Sequence, residues 1–212
     1  MDHFEVSGGV LHCEGVALPA IAAAVGTPVY VYSSATMVRH AQVFRDAVAA
    51  TGDPLIAFAV KANPNGAVLA TLAREGLGAD VVSIGEYRRA IAAGVPPERI
   101  IFSGVGKTAA EMEYALKGGL LQFNLESVEE AEMMSAVAAR LGLRAPVAFR
   151  INPDVDARTH KKISTGGALS KFGVPIDEAL DCYAIARDLP ALDGLPEIAA
   201  GDVDPADRLL AA

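Results

Sequence analysis

The feature of this sequence that most constrains its fold is a rhythm. Short apolar runs end near Lys61, Asp80, Ser103, Asn124 and Arg150, at intervals of 19, 23, 21 and 26 residues. Each gap holds a stretch with apolar residues at helical spacing: Ala67–Arg74, Ile84–Ala93, Ala109–Lys117 and Val128–Leu141. Gly or Pro follows each of them closely, as expected where a helix stops. The first of the runs, Leu55 to Val60, is unbroken, which is how a strand buried on both faces of a parallel sheet reads. The rhythm is therefore a series of βα units, and two closed arrangements accommodate it, a doubly wound open sheet or a (β/α) barrel. Functional residue types at the C-terminal ends of successive strands favour the barrel. Val147 to Ile151 is the fifth strand, and a closed barrel of this kind needs eight. The expectation is an incomplete (β/α)8 barrel of TIM type, about five βα units, behind an N-terminal β segment.

That organisation divides the chain into an N-terminal β segment (1–32), the partial barrel (33–183) and a tail (184–212). Residues 3 to 16 alternate around Gly8-Gly9 as a short hairpin, Leu18 to Val25 reads as a helix stopped by Gly26, and Thr27 to Tyr32 reads as a strand. Ser33 or Ser34 is placed to cap a helix running to about Ala50. A further helix begins near Ile176. Beyond it, with Pro190, Pro196 and Pro205, no convincing buried strand is legible and an irregular tail is expected. The missing strands suit a fragment, an internal deletion or a frameshift; Leu195 to Asp202 faintly resembles a distal β-domain segment of the family named below, which would suit a deletion.

Composition excludes some classes of function. A net charge of −8 and a pI near 5.0 argue against nucleic acid or an anionic membrane as partner, since both require clustered Lys and Arg. With 52% hydrophobic and 21% charged residues the chain reads as soluble and globular. No basic segment followed by an apolar run opens it, so a cytoplasmic protein is expected. Cys13 and Cys182 suggest no disulfide framework, and no Cys/His spacing resembles a metal site.

Chemistry gathers on Lys61. The segment Asn63-Pro64-Asn65-Gly66 turns the chain directly after it, so the lysine sits where strand becomes loop. A primary amine held there among apolar neighbours loses its proton cheaply and attacks carbonyls, which is Schiff-base chemistry. Capping of the strand by a solvated lysine is the simpler alternative. The ordered run Phe58-Ala59-Val60-Lys61-Ala62-Asn63, with Val68-Leu69, Leu72 and Gly76, resembles the pyridoxal-phosphate attachment site of the alanine-racemase-like decarboxylases of ornithine, arginine and diaminopimelate. The resemblance implies that Lys61 carries pyridoxal 5'-phosphate.

The same resemblance implies that Asp80 and Glu86 line the cofactor pocket and that Arg150 reaches the cofactor's hydroxyl side. Outside it, Asp80 and Glu86 read as carboxylates favoured at a helix N-terminus, and Arg150 as a buried ion-pair partner. Asp80 is the partner that would reconcile both roles of Arg150. The run His160 to Gly173, with Ile163-Ser164-Thr165-Gly166 and Lys171-Phe172-Gly173, resembles the diaminopimelate branch in particular. A polar loop is the alternative there, and Gly104-Val105-Gly106 reads as a turn.

The family's His-x-Gly-Ser segment, its glycine-rich phosphate loop, and its Glu-Pro-Gly-Arg and Cys-Glu-Thr-Gly-Asp motifs have no counterpart. The resemblance thus implies a lyase acting on meso-diaminopimelate to give L-lysine, a homodimer in the family, and little activity from this chain alone. A cofactor-binding protein without turnover, or a fragment without function, are the other readings.

Overall fold

The computed structural model describes residues 3–152 and 172–194. Strands β1 (Phe4–Ser7), β2 (Val10–Cys13) and β3 (Val16–Ala17) form an antiparallel sheet turning at Gly8-Gly9, and helix α1 (Leu18–Val25) ends on Gly26. Helix α2 (Ser34–Val48) follows, capped by Ser33, whose Oγ accepts from Thr36 N at 3.0 Å. The βα series is then β4 (Ala57–Ala59), α3 (Gly66–Arg74), β5 (Gly78–Val81), α4 (Ile84–Ala92), β6 (Ile100–Phe102) and α5 (Ala109–Lys117). It continues with β7 (Gln122–Leu125), α6 (Val128–Leu141), β8 (Ala145–Phe149), β9 (Ile151–Asn152), β10 (Val174–Pro175), α7 (Ala179–Arg187) and β11 (Leu192–Asp193).

Six strands make one parallel sheet in the order β11-β8-β7-β6-β5-β4, and β9 pairs with β10 alone. A parallel sheet whose sequential strands are spatial neighbours, each followed by a helix on one face, is the wall of an incomplete (β/α) barrel. The helix side of that wall is the core. Val81, Ile100, Phe102, Phe123, Leu125 and Val147 are essentially inaccessible and pack against Met112 and Met134 of α5 and α6. The rings of Phe102 and Phe123, paired in register, stack with centroids 5.9 Å apart.

Three expectations need correction. Thr27–Tyr32 joins no sheet: Pro28 lacks a donor, and Tyr30 is 87% exposed with no strand beside it among the described residues. The first barrel strand is shorter than Leu55–Val60 and only half-buried on both faces, because among the described residues β4 has a neighbour on one side alone. The tail holds a buried strand after all: Leu192 and Asp193 pair with Ala145 and Pro146, and Leu192 is 3% exposed. The run Ala191-Leu192 was too short to register as a strand; the anchor is Arg144, which donates to Asp193 Oδ1, Pro190 O and Leu192 O. Leu195–Asp202 lies outside the described residues.

Candidate active site

The C-terminal ends of five adjacent strands bring the polar residues together. Residues facing the helices are apolar, so the alternate positions face the opposite, inner side of the wall. Asp80 pairs with Ala59 and Ile101, Gln122 with Ile101, and Asn124 with Ala148. Ala57, Ala59, Asp80, Ile101, Gln122, Asn124 and Ala148 therefore share the inner face, and Ser103 continues it beyond β6. Barrel interiors are usually filled with branched apolar side chains. Here alanines leave room and polar groups line it.

Lys61 sits in a single 3₁₀ turn, Val60–Ala62, directly after β4, with the turn made by Asn63 and Asn65: Asn63 Oδ1 accepts from Asn65 N, and Asn65 Oδ1 accepts from Ala67 N to cap α3. The expected apolar enclosure is not found. Lys61 is exposed, because the turn carries it past the half-buried end of the edge strand.

Asp80 Oδ1 accepts from Ser103 Oγ at 2.5 Å, Ser103 Oγ accepts from Asn124 Nδ2 at 3.1 Å, and Asn124 Oδ1 accepts from Gln122 Nε2 at 2.7 Å. Asp80 is therefore not the partner of Arg150. That partner is Glu126, whose Oε1 accepts from Arg150 Nη1 at 3.3 Å and which ends the adjacent strand, two strands nearer than Asp80. The Arg150 guanidinium also lies over the Phe172 ring, 4.9 Å from its centroid. Its main chain is held inside the sheet, donating to Leu125 O and accepting from Val174 N. Glu126, buried at its side chain, accepts from Gly173 N as well at 2.7 Å. Gly173 has φ +74°, and a Cβ there would stand 2.7 Å from Arg150 O, so only glycine closes this contact. The rest of the His160–Gly173 run lies outside the described residues, apart from Phe172.

Glu86 does not join the group on the inner face. Its Oε2 accepts from Val82 N at 2.8 Å while its own N donates to Oγ of Ser83, the residue that caps α4, so it serves the start of that helix. Two further helices begin the same way. Thr108 and Glu111 form a reciprocal capping box on α5, and Ser127 with Glu130 starts α6, Glu130 Oε2 accepting from Glu126 N. Burial pushes the Glu111 carboxyl up, but hydrogen bonds from Ile84 N, Thr108 N and Thr108 Oγ1 outweigh it and hold the group below its ordinary value. Sequence reading missed Glu126, Glu130 and Lys107. The thrice-repeated Ser/Thr-x-x-Glu was the legible signal for one of them; Lys107, whose Nζ donates to Glu130 Oε1 and Gly104 O with its side chain fully buried, had none.

A lysine at the end of the first strand of a parallel βα wall, an aspartate at the end of the second and an arginine at the end of the fifth set an amine, a carboxylate and a guanidinium along one rim of a barrel wall. The chain belongs to the pyridoxal-dependent decarboxylase family: residues 34–193 match its pyridoxal binding domain. It is 56% identical over 191 residues to the diaminopimelate decarboxylase of Zymomonas mobilis, covering 89% of this chain and 45% of that protein. To that of Pseudomonas aeruginosa it is 52% identical over 194 residues, covering 91% and 46%. Among solved structures, diaminopimelate decarboxylase from Helicobacter pylori complexed with L-lysine superposes with a TM-score of 0.78 at 41% identity, covering 83% of this chain and 44% of that one. The enzyme from M. jannaschii in co-complex with L-lysine gives 0.81 at 35% identity, covering 91% and 46%. The chain thus spans a little under half the length of the curated relatives it matches. The family's cofactor is pyridoxal 5'-phosphate, and the donor set at the strand ends fits it: an accessible amine, a carboxylate, a guanidinium and a floor of alanines. No helix among the described residues is long and apolar enough to cross a membrane.

Proposed function

We propose that this chain supplies the cofactor-carrying part of a decarboxylase that removes the carboxylate at the D-centre of meso-diaminopimelate to give L-lysine. The observation that carries the reading is the alignment of Lys61, Asp80 and Arg150 at the C-terminal ends of β4, β5 and β8. The names of the relatives supply the substrate class. When bound, pyridoxal phosphate supplies an electron sink for the pair left behind as carbon dioxide departs. Lys61 offers the amine that holds the cofactor's carbonyl carbon. Asp80 offers a carboxylate that favours a protonated nitrogen beside it. Arg150, kept in place by Glu126 and by stacking on Phe172, offers donors to the cofactor's hydroxyl side. Glu86, which holds the start of α4 through Val82 N with one oxygen, would line the same pocket with the other.

The same reading puts the protein in the cytoplasm, as a homodimer with a small amino acid as its partner. It also gives the 212-residue chain little turnover by itself, since the phosphate loop and the acid facing the pyridine nitrogen have no counterpart in it. Losing one preorganised electrostatic contact costs about 10²-fold or more. A cofactor-binding protein without turnover is the second reading, favoured by the same lack.

Borohydride reduction of the chain with pyridoxal phosphate, followed by peptide mapping, tests the site. The pyridoxyl label is expected on Lys61 and lost in Lys61→Ala. A label mainly on Lys107, Lys117 or Lys171 defeats the assignment. Carbon dioxide release from meso-diaminopimelate at the rate of a complete enzyme would overturn the expectation of low turnover.

A further inference from the structure

The chain Gln122, Asn124, Ser103, Asp80 runs across three adjacent strands on the open inner face, and its direction is fixed by chemistry. Ser103 Oγ and Asp80 Oδ1 are 2.5 Å apart, so a proton lies between them. A carboxylate only accepts, so the proton is the serine's and the hydroxyl oxygen is left to accept. Asn124 donates to it through Nδ2, which leaves Asn124 Oδ1 to accept from Gln122 Nε2. With the amide turned over, Asn124 would present an oxygen to Ser103, the hydroxyl would turn to it, and Asp80 would face a bare oxygen. Every donor therefore points the same way and the sequence of bonds ends on one oxygen of Asp80. Among the described residues Oδ2 of Asp80 has no partner. The main chain is fixed as well: Ser103 N donates to Val81 O at 2.8 Å, continuing the β5–β6 ladder.

A sheet that needed only stability would carry apolar groups here. A half-buried polar network is costly unless its members are partnered, and here Asn124 and Ser103 are each held from both sides while the aspartate at the end keeps one uncommitted oxygen. We propose that Ser103, backed by Asn124 and Gln122, is a positioning residue that fixes the Asp80 carboxylate for its work beside Lys61. The proposal rests on the reading of Lys61 as the cofactor lysine, and it assigns the residues behind Asp80 a role in that site.

Two measurements on the full 212-residue chain test it. In the cofactor-free protein, the Asn124 side-chain amide proton engaged by Ser103 is expected to exchange slowly with water, and Ser103→Ala to speed this by about tenfold, the weight of one hydrogen bond. With pyridoxal phosphate bound, the pH midpoint of the visible absorbance change reports the proton at the cofactor's carbonyl end. Asp80→Asn removes the anion and lowers that midpoint by about one pH unit, a tenfold change in proton affinity. Ser103→Ala is expected to lower it in the same direction, Ser103→Thr to restore it by keeping the hydroxyl, and Asp80→Asn with Ser103→Ala to match Asp80→Asn alone. An unchanged midpoint in Ser103→Ala with cofactor bound on Lys61, or independent addition of the two effects, overturns the proposal. If the unsubstituted chain takes up no cofactor while Ser103→Ala still accelerates the Asn124 exchange, the cofactor reading fails and Ser103 stands as the holder of Asp80.

Discussion

Lys107 shows how a single buried charge organises the neighbourhood of the site. Its ammonium donates to Glu130 Oε1 at 2.9 Å and to Gly104 O at 2.7 Å, tying the loop after β6 to the start of α6. Glu130 in turn holds Glu126 N, and Glu126 holds Arg150 and Gly173. Taking the cation away leaves a carboxylate, 10% exposed at its side chain, without its counter-charge. Lys107→Met should therefore destabilise the fold by about 3–5 kcal/mol, while Lys107→Met combined with Glu130→Gln should cost clearly less, because no bare charge remains. Urea denaturation of the two variants reads the difference, and equal losses would mean that the lysine's packing matters and its charge does not. Glu126→Gln keeps the shape and an acceptor but removes the ion pair. Its one remaining acceptor cannot serve both Arg150 Nη1 and Gly173 N, and its side chain is buried, so it should cost about 1–3 kcal/mol and loosen Arg150 over Phe172.

At the scale of elements, the capping boxes make a prediction with a definite pH sign. The folded Glu111 carboxyl is held below its ordinary value, so its contribution is fully present above the unfolded value of about 4.3 and is lost as pH falls through the lower folded one. The stability gap between the protein and Glu111→Gln should be constant from neutral pH down to about 5 and should close below about 4.3. Thr108→Ala, which removes the other half of the box, should cost about 1 kcal/mol at neutral pH. Chemical denaturation across that pH range checks both, and a gap that widens in acid would refute the depressed carboxyl. Helices α5 and α6 were legible to the residue, because apolar residues recur along them at helical spacing and Gly118 and Gly142 follow. The strand ends were legible because the helix-facing positions are apolar without exception. Contacts between strands were not: that Arg150 meets Glu126 and Asp80 meets Ser103 depends on register, and one residue of register changes the face on which a side chain lies. Leu192–Asp193 escaped for another reason, since two residues carry no period.

At the scale of the whole molecule, the wall has two ends, and they differ. At one end β8 is covered by β11 through two register pairs only; at the other β4 has no neighbour on its outer side among the described residues. An open interior lined with large apolar groups would drive an incomplete barrel to associate, but apart from Ile101 the inner face carries alanines and polar side chains, so it adds little to that drive. The apolar exposure gathers beside β4 instead. A groove of about 530 Å³ runs between α2, α3 and that strand, lined by Met37, Phe44, Phe58, Val68 and Leu72, with Tyr32 at its margin. Phe44 is 56% and Tyr32 51% exposed. Burying such surface returns ~25 cal/mol per Å², and the unpaired backbone groups of β4 offer a template for pairing. The purified 212-residue chain should therefore form oligomers and bind a hydrophobic dye, and Phe44→Glu should reduce both, because it places a charge in the groove without touching the inner face. Size-exclusion chromatography with light scattering, run beside dye fluorescence, decides it. A sharp monomer peak with cooperative thermal unfolding and no dye binding, in the unsubstituted chain, would show that the β4 edge is covered in solution and that the groove drives nothing.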